Sequence, residues 1–537
     1  MDIVDIVVLI GLLVAISFFG LFTALSGTKQ TSAAQILHGS NVSVVTSALS
    51  VCSGFLSAVS LLGFPAEIYY QGTMLFWYGP MYVIAFPIAA YYFLPVFYNM
   101  KLTSIYEYLE IRFNFACRFL ASLTFCIQTW LYVSVALYAP ALALSTVISI
   151  PLSISIFMTA VLAVLYVTLG GAKASIYTSA LQMALILASM VLIFSISLYH
   201  FGFNSILKTA VAGGRLQLLD FRIDPRIRHS VWSLIIGGTG NILCLFAANQ
   251  LTIQRYMAMS SLRSAQCQKT KQLFPYFVID ELSTISGMVG LFTASVYSAG
   301  LSTASASYSA LAAVFIEDVI KQFQMKVQKH EPMQPNTSIL LARYLPLLFC
   351  CLSMVIAYLC SIMDTMVLQV SFSIFGIAGG PVLSIFCLGM FFPKIKGFAA
   401  FIAQLASTVF CVFIAAGALL NHVRPVGLPI NEICEGNNVT LEFVEKLEYG
   451  MVYPLQSNSW LIQLFRISYQ YYSICALLVA FIVAHIVQCF SGYTEHFSVE
   501  AKLLSPLLQS THKRKEIVLD YASGIKKDGE IPLGTIK

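Results

Sequence analysis

The chain has 537 residues, of which 58% are hydrophobic and 10% charged, and its mean hydropathy is +0.82. A soluble domain carries about a quarter of its residues as Asp, Glu, Lys and Arg, so this composition excludes a soluble protein and turns most of the surface toward a bilayer. The net charge of +6 is dispersed through loops and a tail, as basic flanks of membrane helices are, and gives no nucleic-acid site.

At roughly 35 to 45 residues per span with its loop, given ~20 to cross the hydrocarbon, the length allows about a dozen spans in one unit. The first, 6–25, follows an acidic Met-Asp start and is too long for a cleaved leader. Apolar segments recur near 44–63, 75–98, 118–148, 152–170, 174–200, 230–251, 285–312, 340–362, 365–392, 397–420 and 468–491, twelve in all.

Lys and Arg concentrate in short cytoplasmic loops. Lys29 after the first span, Lys101, Arg112 and Arg118 around the third, and Lys173 after the fifth put the N-terminus outside. Arg255, Arg263, Lys269 and Lys271 after the seventh agree, as do Lys394, Lys396 and a cytoplasmic tail holding Lys513, Arg514 and Lys515. One place breaks the alternation. Lys321, Lys326 and Lys329 form a second cytoplasmic cluster only one clear span after the first. The stretch 273–289 holds Asp280 and Glu281, too costly in lipid for a span. The parity predicts that one crossing is absent near 256–290.

The external loop 201–229 carries Arg215, Arg222, Arg226 and Arg228 against the charge rule, offset in part by Asp220 and Asp224. The hydrophilic stretch 421–467 holds the glycosylation sequon Asn438-Val439-Thr440 on the outside, whereas sequons at Asn41 and Asn336 fall inside and are expected to be silent. The tail 496–537 is polar, with 499–508 able to lie on the inner leaflet. Most of the thirteen cysteines, among them Cys52, Cys126, Cys244, Cys350 and Cys411, sit in apolar runs as packing residues. Only Cys434 falls in an external loop, so neither a disulfide framework nor a CxxC metal site is indicated.

Three spans are not plain apolar rods. The second places Ser53, Gly54, Ser57 and Gly63 before Pro65, the eighth packs Ser298, Ala299, Ser302, Thr303, Ser305 and Ser307 into ten residues, and the tenth holds Gly376, Gly379, Gly380 and Pro381. A helix interrupted in mid-membrane frees carbonyls and amides that survive only beside protein or a cavity, which is where transporters bind ions. Close packing of helices explains the same small residues one helix at a time. Hydroxyls at the density of the eighth span exceed that need, and sodium, a hard cation, seeks oxygens.

Over nearly its whole length the chain resembles the sodium:solute symporter family. The resemblance rests on GFPAEIYYQG (63–72), LTSIYEYLEIRF (102–113), TLGGAKASIYTSALQ (168–182), NQLTIQRY (249–256), SAGLSTASASYSALAAVFIEDVI (298–320) and SIFGIAGGPVLSIFCLGMFFP (373–393), in this order. Segments 63–72 and 301–320 are most similar to the branch of sodium-coupled monocarboxylate, multivitamin and iodide carriers. The resemblance implies an all-α polytopic LeuT-type fold with inverted repeats near 44–200 and 230–392, trailing helices at 397–491, and a transmembrane domain over 1–495. It also implies a sodium site on the carbonyls of Cys52, Phe55 and Ala299 and the hydroxyls of Ser302 and Thr303. Solute is expected beside the break near Ser53, Gly54 and Ser57 and against Phe246, although Phe246 serves equally well as plain core.

Two departures stand out. Ser179 occupies a position where the family usually has Asp, which removes a charge that favours a nearby cation. Between NQLTIQRY and SAGLST the family places a further core helix, while here residues 264–268 run almost directly into LFPYFVIDELSTISG. The second departure coincides with the parity defect. The reading is therefore a plasma-membrane, sodium-coupled importer of a small organic solute or anion, with Na+ as the coupling ion, no other cofactor and no obligate protein partner. A shortened inactive or regulatory isoform and a transporter-like sensor or channel are the competing readings. An enzyme is not expected, because the spans are almost bare of clustered His, Asp and Glu.

Overall fold

The structure is a computed structural model that describes residues 3–26, 43–100, 102–257, 288–326, 333–360, 367–421, 423, 428, 459–492 and 499–509. Regular structure among these residues is helical throughout, as lipid demands of a chain whose backbone N–H and C=O groups have no water to bond. The longer helices are α1 (Ile3–Ser26), α2 (Val44–Phe55), α3 (Ala58–Gln71), α4 (Tyr78–Ile88), α5 (Phe115–Ile148), α6 (Leu152–Phe201), α7 (Gly238–Phe246), α8 (Gln250–Met257), α9 (Met288–Val314), α10 (Pro335–Cys360), α11 (Val367–Ile374), α12 (Gly380–Phe391), α13 (Gly397–Leu420) and α14 (Tyr472–Phe490). Over its described residues each of the twelve apolar segments is largely helical. Among the described residues nine stretches are long enough to cross alone, two are bent pairs, and Leu152–Leu165 is a shorter apolar part of α6.

Of the three spans expected to be interrupted, the second is sharply bent, the eighth is not, and a second sharp bend falls in the seventh. Between α2 and α3 the chain bends by 55°, as it does between α7 and α8. Capping side chains explain where. The Ser57 hydroxyl accepts the Ser60 N–H at 3.4 Å, and Asn249 Oδ1 accepts the Leu251 N–H at 2.9 Å, each restarting a helix as N-caps do. Pro65 lies inside α3 without ending it. In the eighth segment α9 is continuous, because its hydroxyls bond back within the helix, Ser298 to the Ala294 carbonyl at 2.7 Å and Thr303 to Ala299 at 3.0 Å. The tenth segment is interrupted by a π-turn at Phe375–Gly379, beside which a Cβ at Gly380 would press onto Ala476.

Helix α9 is the centre of the bundle. Of the apolar window over 290–325, 94% is buried in protein, against 22% for that of α1. With lipid as apolar as Leu, helices associate through close packing of small residues, and Gly300 of α9 indeed sits directly on Pro140 of α5.

The two ends of α9 define the two faces of the molecule. At one, the Gly290 N–H donates to Asp5 of α1 at 3.3 Å. At the other, Asp318 accepts from Ser104 and Arg118. Helix α8 belongs to the Asp318 face, because Gln250 bonds Ile105 N–H and the Thr103 carbonyl at 3.0 and 3.1 Å. Met257 therefore ends on one face and Met288 begins at the other. Most of the stretch 256–290, where a crossing is expected to be absent, lies outside the described residues, as do the sequon at Asn438 and Cys434.

The stretch expected on the inner leaflet packs instead on the bundle. Val499, Leu503 and Leu504 are buried, the Tyr108 hydroxyl donates to the Leu503 carbonyl at 2.9 Å, and the Ser505 N–H donates to Met390 at 3.1 Å. Apolar contacts with protein replace those that lipid would have supplied.

Candidate functional site

The C-terminal end of α2 meets the middle of α9. The Ser53 hydroxyl donates to Ser302 Oγ at 2.6 Å, and Thr303 Oγ1 lies 3.3 Å from the Gly54 carbonyl and 3.0 Å from that of Ala299. All of these side chains are buried. The Cys52 carbonyl accepts the Leu56 N–H at 2.8 Å, and Phe55 is the last residue of α2. The structure thus brings Ser53 and Gly54 of one helix end against Ser302 and Thr303 of another, with Cys52 and Phe55 flanking them along α2 and Ala299 one turn before Thr303 in α9. Hydroxyl and carbonyl oxygens each keep a second lone pair beyond these bonds, and a cluster of neutral hard oxygens suits a sodium ion. Gly54 adds a carbonyl that the sequence reading had set on the solute side. Ser179, on α6, is fully buried and its hydroxyl makes no hydrogen bond.

Ser57 opens α3, and the Tyr132 hydroxyl of α5 bonds it. Phe246 is buried at the end of α7 with its ring edge-on to Phe86, centroids 4.9 Å apart, and Phe86 stacks on Tyr82 at 5.2 Å. Phe246 is thereby part of an aromatic column. Two amides that the sequence reading passed over lie nearby. Gln128 of α5 has a buried Nε2 without a partner, 3.3 Å from where a Cβ on Gly379 would stand. Asn241 of α7 donates to the Gln470 side chain at 3.2 Å while its Oδ1 is without a partner. A lone Gln in FCIQTW and a lone Asn in GTGNIL were the available signals, since polar residues in spans are costly unless used.

Charged networks close each face. At the Asp318 face Arg118 donates to Asp318 at 2.7 Å and to Glu110 at 2.8 Å, and Arg112 donates to the carbonyls of Gly389, Phe392 and Pro393 at 3.0 to 3.1 Å. At the opposite face Arg228 Nε donates to buried Glu67 at 2.6 Å and Nη1 to Gln369 at 2.8 Å, while His229 Nε2 lies 3.1 Å from the Tyr469 hydroxyl. The arginines that ran against the charge rule are accounted for. Arg222 pairs with Asp220 at 2.6 Å and Arg226 with Asp224, Arg228 with Glu67, and Arg215 stands over the Tyr69 ring at 5.1 Å. The hydrogen bond from Arg226 holds the Asp224 carboxyl below its usual range. Burial pushes the His229 imidazole down to about 4.

A bundle of apolar helices, with two 55° breaks and buried oxygens gathered against one of them, has the architecture of a LeuT-type fold. A solved Na+-coupled sialic acid symporter shares this fold, with a TM-score of 0.71 over 92% of this chain and 99% of that one, at 19% identity. The profile of the sodium:solute symporter family matches residues 35–286. Sodium-coupled monocarboxylate transporter 1 of Homo sapiens is 30% identical over 581 positions that take in 98% of this chain and 94% of that protein. The putative sodium-dependent multivitamin transporter of Drosophila melanogaster is 31% identical, over 88% and 83%. The chain belongs to the sodium:solute symporter family. It is a multi-pass membrane symporter and not an enzyme, and it carries sodium together with a small solute.

Proposed function

We propose that the chain imports a small monocarboxylate or a carboxylate-bearing vitamin across the plasma membrane, driven by sodium held between α2 and α9. The observation that carries this reading is the meeting of Ser53 and Gly54 with Ser302 and Thr303. Sodium takes the carbonyls of Cys52, Phe55 and Ala299 and the hydroxyls of Ser302 and Thr303, joining a helix end to the central helix. The solute lies beside Ser53, Gly54 and Ser57, with Gln128 Nε2 as a donor suited to a carboxylate oxygen and Phe246 behind it. Each sodium charge crossing 100 mV contributes about 2.3 kcal/mol before its concentration gradient is added.

The basic residues on the Asp318 face, among them Arg112, Arg118 and Lys321, support a cytoplasmic assignment of that face. The N-terminus and Asn438 are then extracellular and the tail after 496 cytoplasmic. The repeats run from about 44 to 200 and from about 230 to 392, each opening on a 55° break. The alignment with the human transporter spans 581 positions, more than the 537 residues of this chain. That supports an internal segment, one helix of the second repeat, having no counterpart here.

Uptake into proteoliposomes tests the substrate class. Short monocarboxylates, biotin, pantothenate and iodide are offered with and without an inward sodium gradient. Saturable, sodium-dependent uptake of a carboxylate is expected; sodium-dependent uptake of iodide alone would overturn the class.

A further inference from the structure

Among the described residues, several buried arginines are met by carboxylates or by more than one carbonyl, and Arg255 by neither. Arg118 has Asp318 and Glu110, Arg228 has Glu67, and Arg112 has several carbonyls. Arg255 of α8 is buried, its Nη1 donates to the Ser50 carbonyl of α2, and its Nη2 has no hydrogen-bond partner. Among the described residues no carboxylate lies within ion-pair distance of it. A guanidinium taken out of water without a counter-charge is costly, and one unsatisfied N–H adds to that cost.

Arg255 also lines a cavity of about 20 Å³, together with Ser175, Ile176, Leu251, Gln254 and Ser309. One water-sized particle needs roughly 10 to 15 Å³ measured this way, so the space suits a single small ion or the end of one. Its chemistry is that of an anion site, with a guanidinium, an amide and two serine hydroxyls around an apolar floor.

The cavity adjoins the sodium cluster. A Cβ on Gly54 would stand 2.7 Å from Arg255 Nη1, and it is the Gly54 carbonyl that faces Thr303. Ser175 at the cavity wall bonds Ser305 at 3.1 Å, and Ser305 bonds the Ser302 carbonyl at 3.1 Å. A cation bound at Ser302 and Thr303 therefore feels the Arg255 charge across a buried, low-dielectric path, and that repulsion opposes sodium.

We propose that Arg255, Ser175, Gln254 and Ser309 form a site for a small monoanion, chloride or the carboxylate end of a small acid, whose occupation neutralises Arg255 and strengthens sodium binding. Linkage makes the effect reciprocal, so sodium strengthens the anion equally.

Binding to purified full-length protein tests this. Radiolabelled sodium is titrated with chloride, acetate or gluconate as the sole anion, gluconate being too large to enter. Apparent sodium affinity is expected to fall at least about fivefold in gluconate, the lower range of such couplings. Restoration by chloride alone identifies a halide site and restoration by acetate a carboxylate site; either supports the proposal. Arg255→Gln removes the charge, and its sodium affinity is expected to be the same in all three anions. Because that variant can fail to fold, Ser309→Val, which fills the cavity and leaves Arg255 in place, is measured beside it and is expected to lose the anion dependence too. Binding of radiolabelled chloride by the native protein and not by Ser309→Val reads the site without reference to sodium or solute. Equal sodium affinity in chloride, acetate and gluconate, or an anion dependence that survives in Ser309→Val, would overturn the proposal.

Discussion

At the scale of single residues, what was legible in the sequence was the kind of atom required, and what was hidden was its neighbour. Ser302 and Thr303 stood out because hydroxyls so dense in an apolar span need a use; that Ser53 meets Ser302 at 2.6 Å is a fact of folding alone. Gln128 and Asn241 were passed over because one amide in a span has no pattern around it. His229 carries a prediction of its own. Its ordinary value of 6.5 is pushed down to about 4 by burial, with Arg228 assisting and Glu67 opposing. The unfolded chain therefore takes up a proton that the folded one refuses. The contribution of neutral His229 to stability is complete above about 6.5 and is lost as pH falls toward about 4. Thermal unfolding of the purified protein should show a melting temperature that declines through this window, and His229→Gln should flatten the decline. An identical slope in the variant would remove His229 from the account.

At the scale of elements, the breaks are the informative features, and their positions follow from caps more than from glycines. The second segment was readable because Ser53, Gly54 and Ser57 cluster where a helix should be apolar. The seventh was not, since no cluster of small residues marks its bend; the bond from the Leu251 N–H to Asn249 Oδ1 at 2.9 Å shows a helix restarting. The eighth misled in the opposite direction. Ser298 and Thr303 bond back along α9 while Ser302 and Ser305 bond to neighbouring helices, and the helix stays whole, so a dense run of hydroxyls marks a wall of the site and not a gap in the backbone. Close backbone approach makes a further prediction. In the π-turn Ser233–Gly237 a Cβ on Gly237 would lie 2.6 Å from the Gln470 carbonyl oxygen, which is backbone and cannot swing away. Gly237→Val should cost about 1–3 kcal/mol through overpacking, read as a lowered melting temperature of the detergent-solubilised protein. A melting temperature equal to that of the native chain would mean that the backbone turn at Gln470 shifts freely against Gly237.

At the scale of the whole molecule, twelve apolar segments were expected and each is largely helical over its described residues. Loop charges required one more crossing than the segments supply, and the described ends at Met257 and Met288 stand at opposite faces. Counting hydrophobic runs gives no sign of this; the expectation comes from the charges in the loops between them. If the shortening arises in the transcript, sequencing complementary DNA across codons 256–275 should reveal longer transcripts with an added apolar exon there. Uniform transcripts without such an exon would make the compact second repeat the protein's only form.

The central claim is that sodium joins the end of α2 to α9, and sodium activation of solute uptake tests it most directly. In the double variant Ser302→Ala, Thr303→Ala the two hydroxyls are removed while the packing of α9 is kept, because Ala is a good helix former. Sodium dependence should weaken by at least about tenfold, a loss of roughly 1.4 kcal/mol, with protein reaching the membrane in near-native amount. Sodium activation identical to that of the native chain, at equal surface amount, would contradict the account.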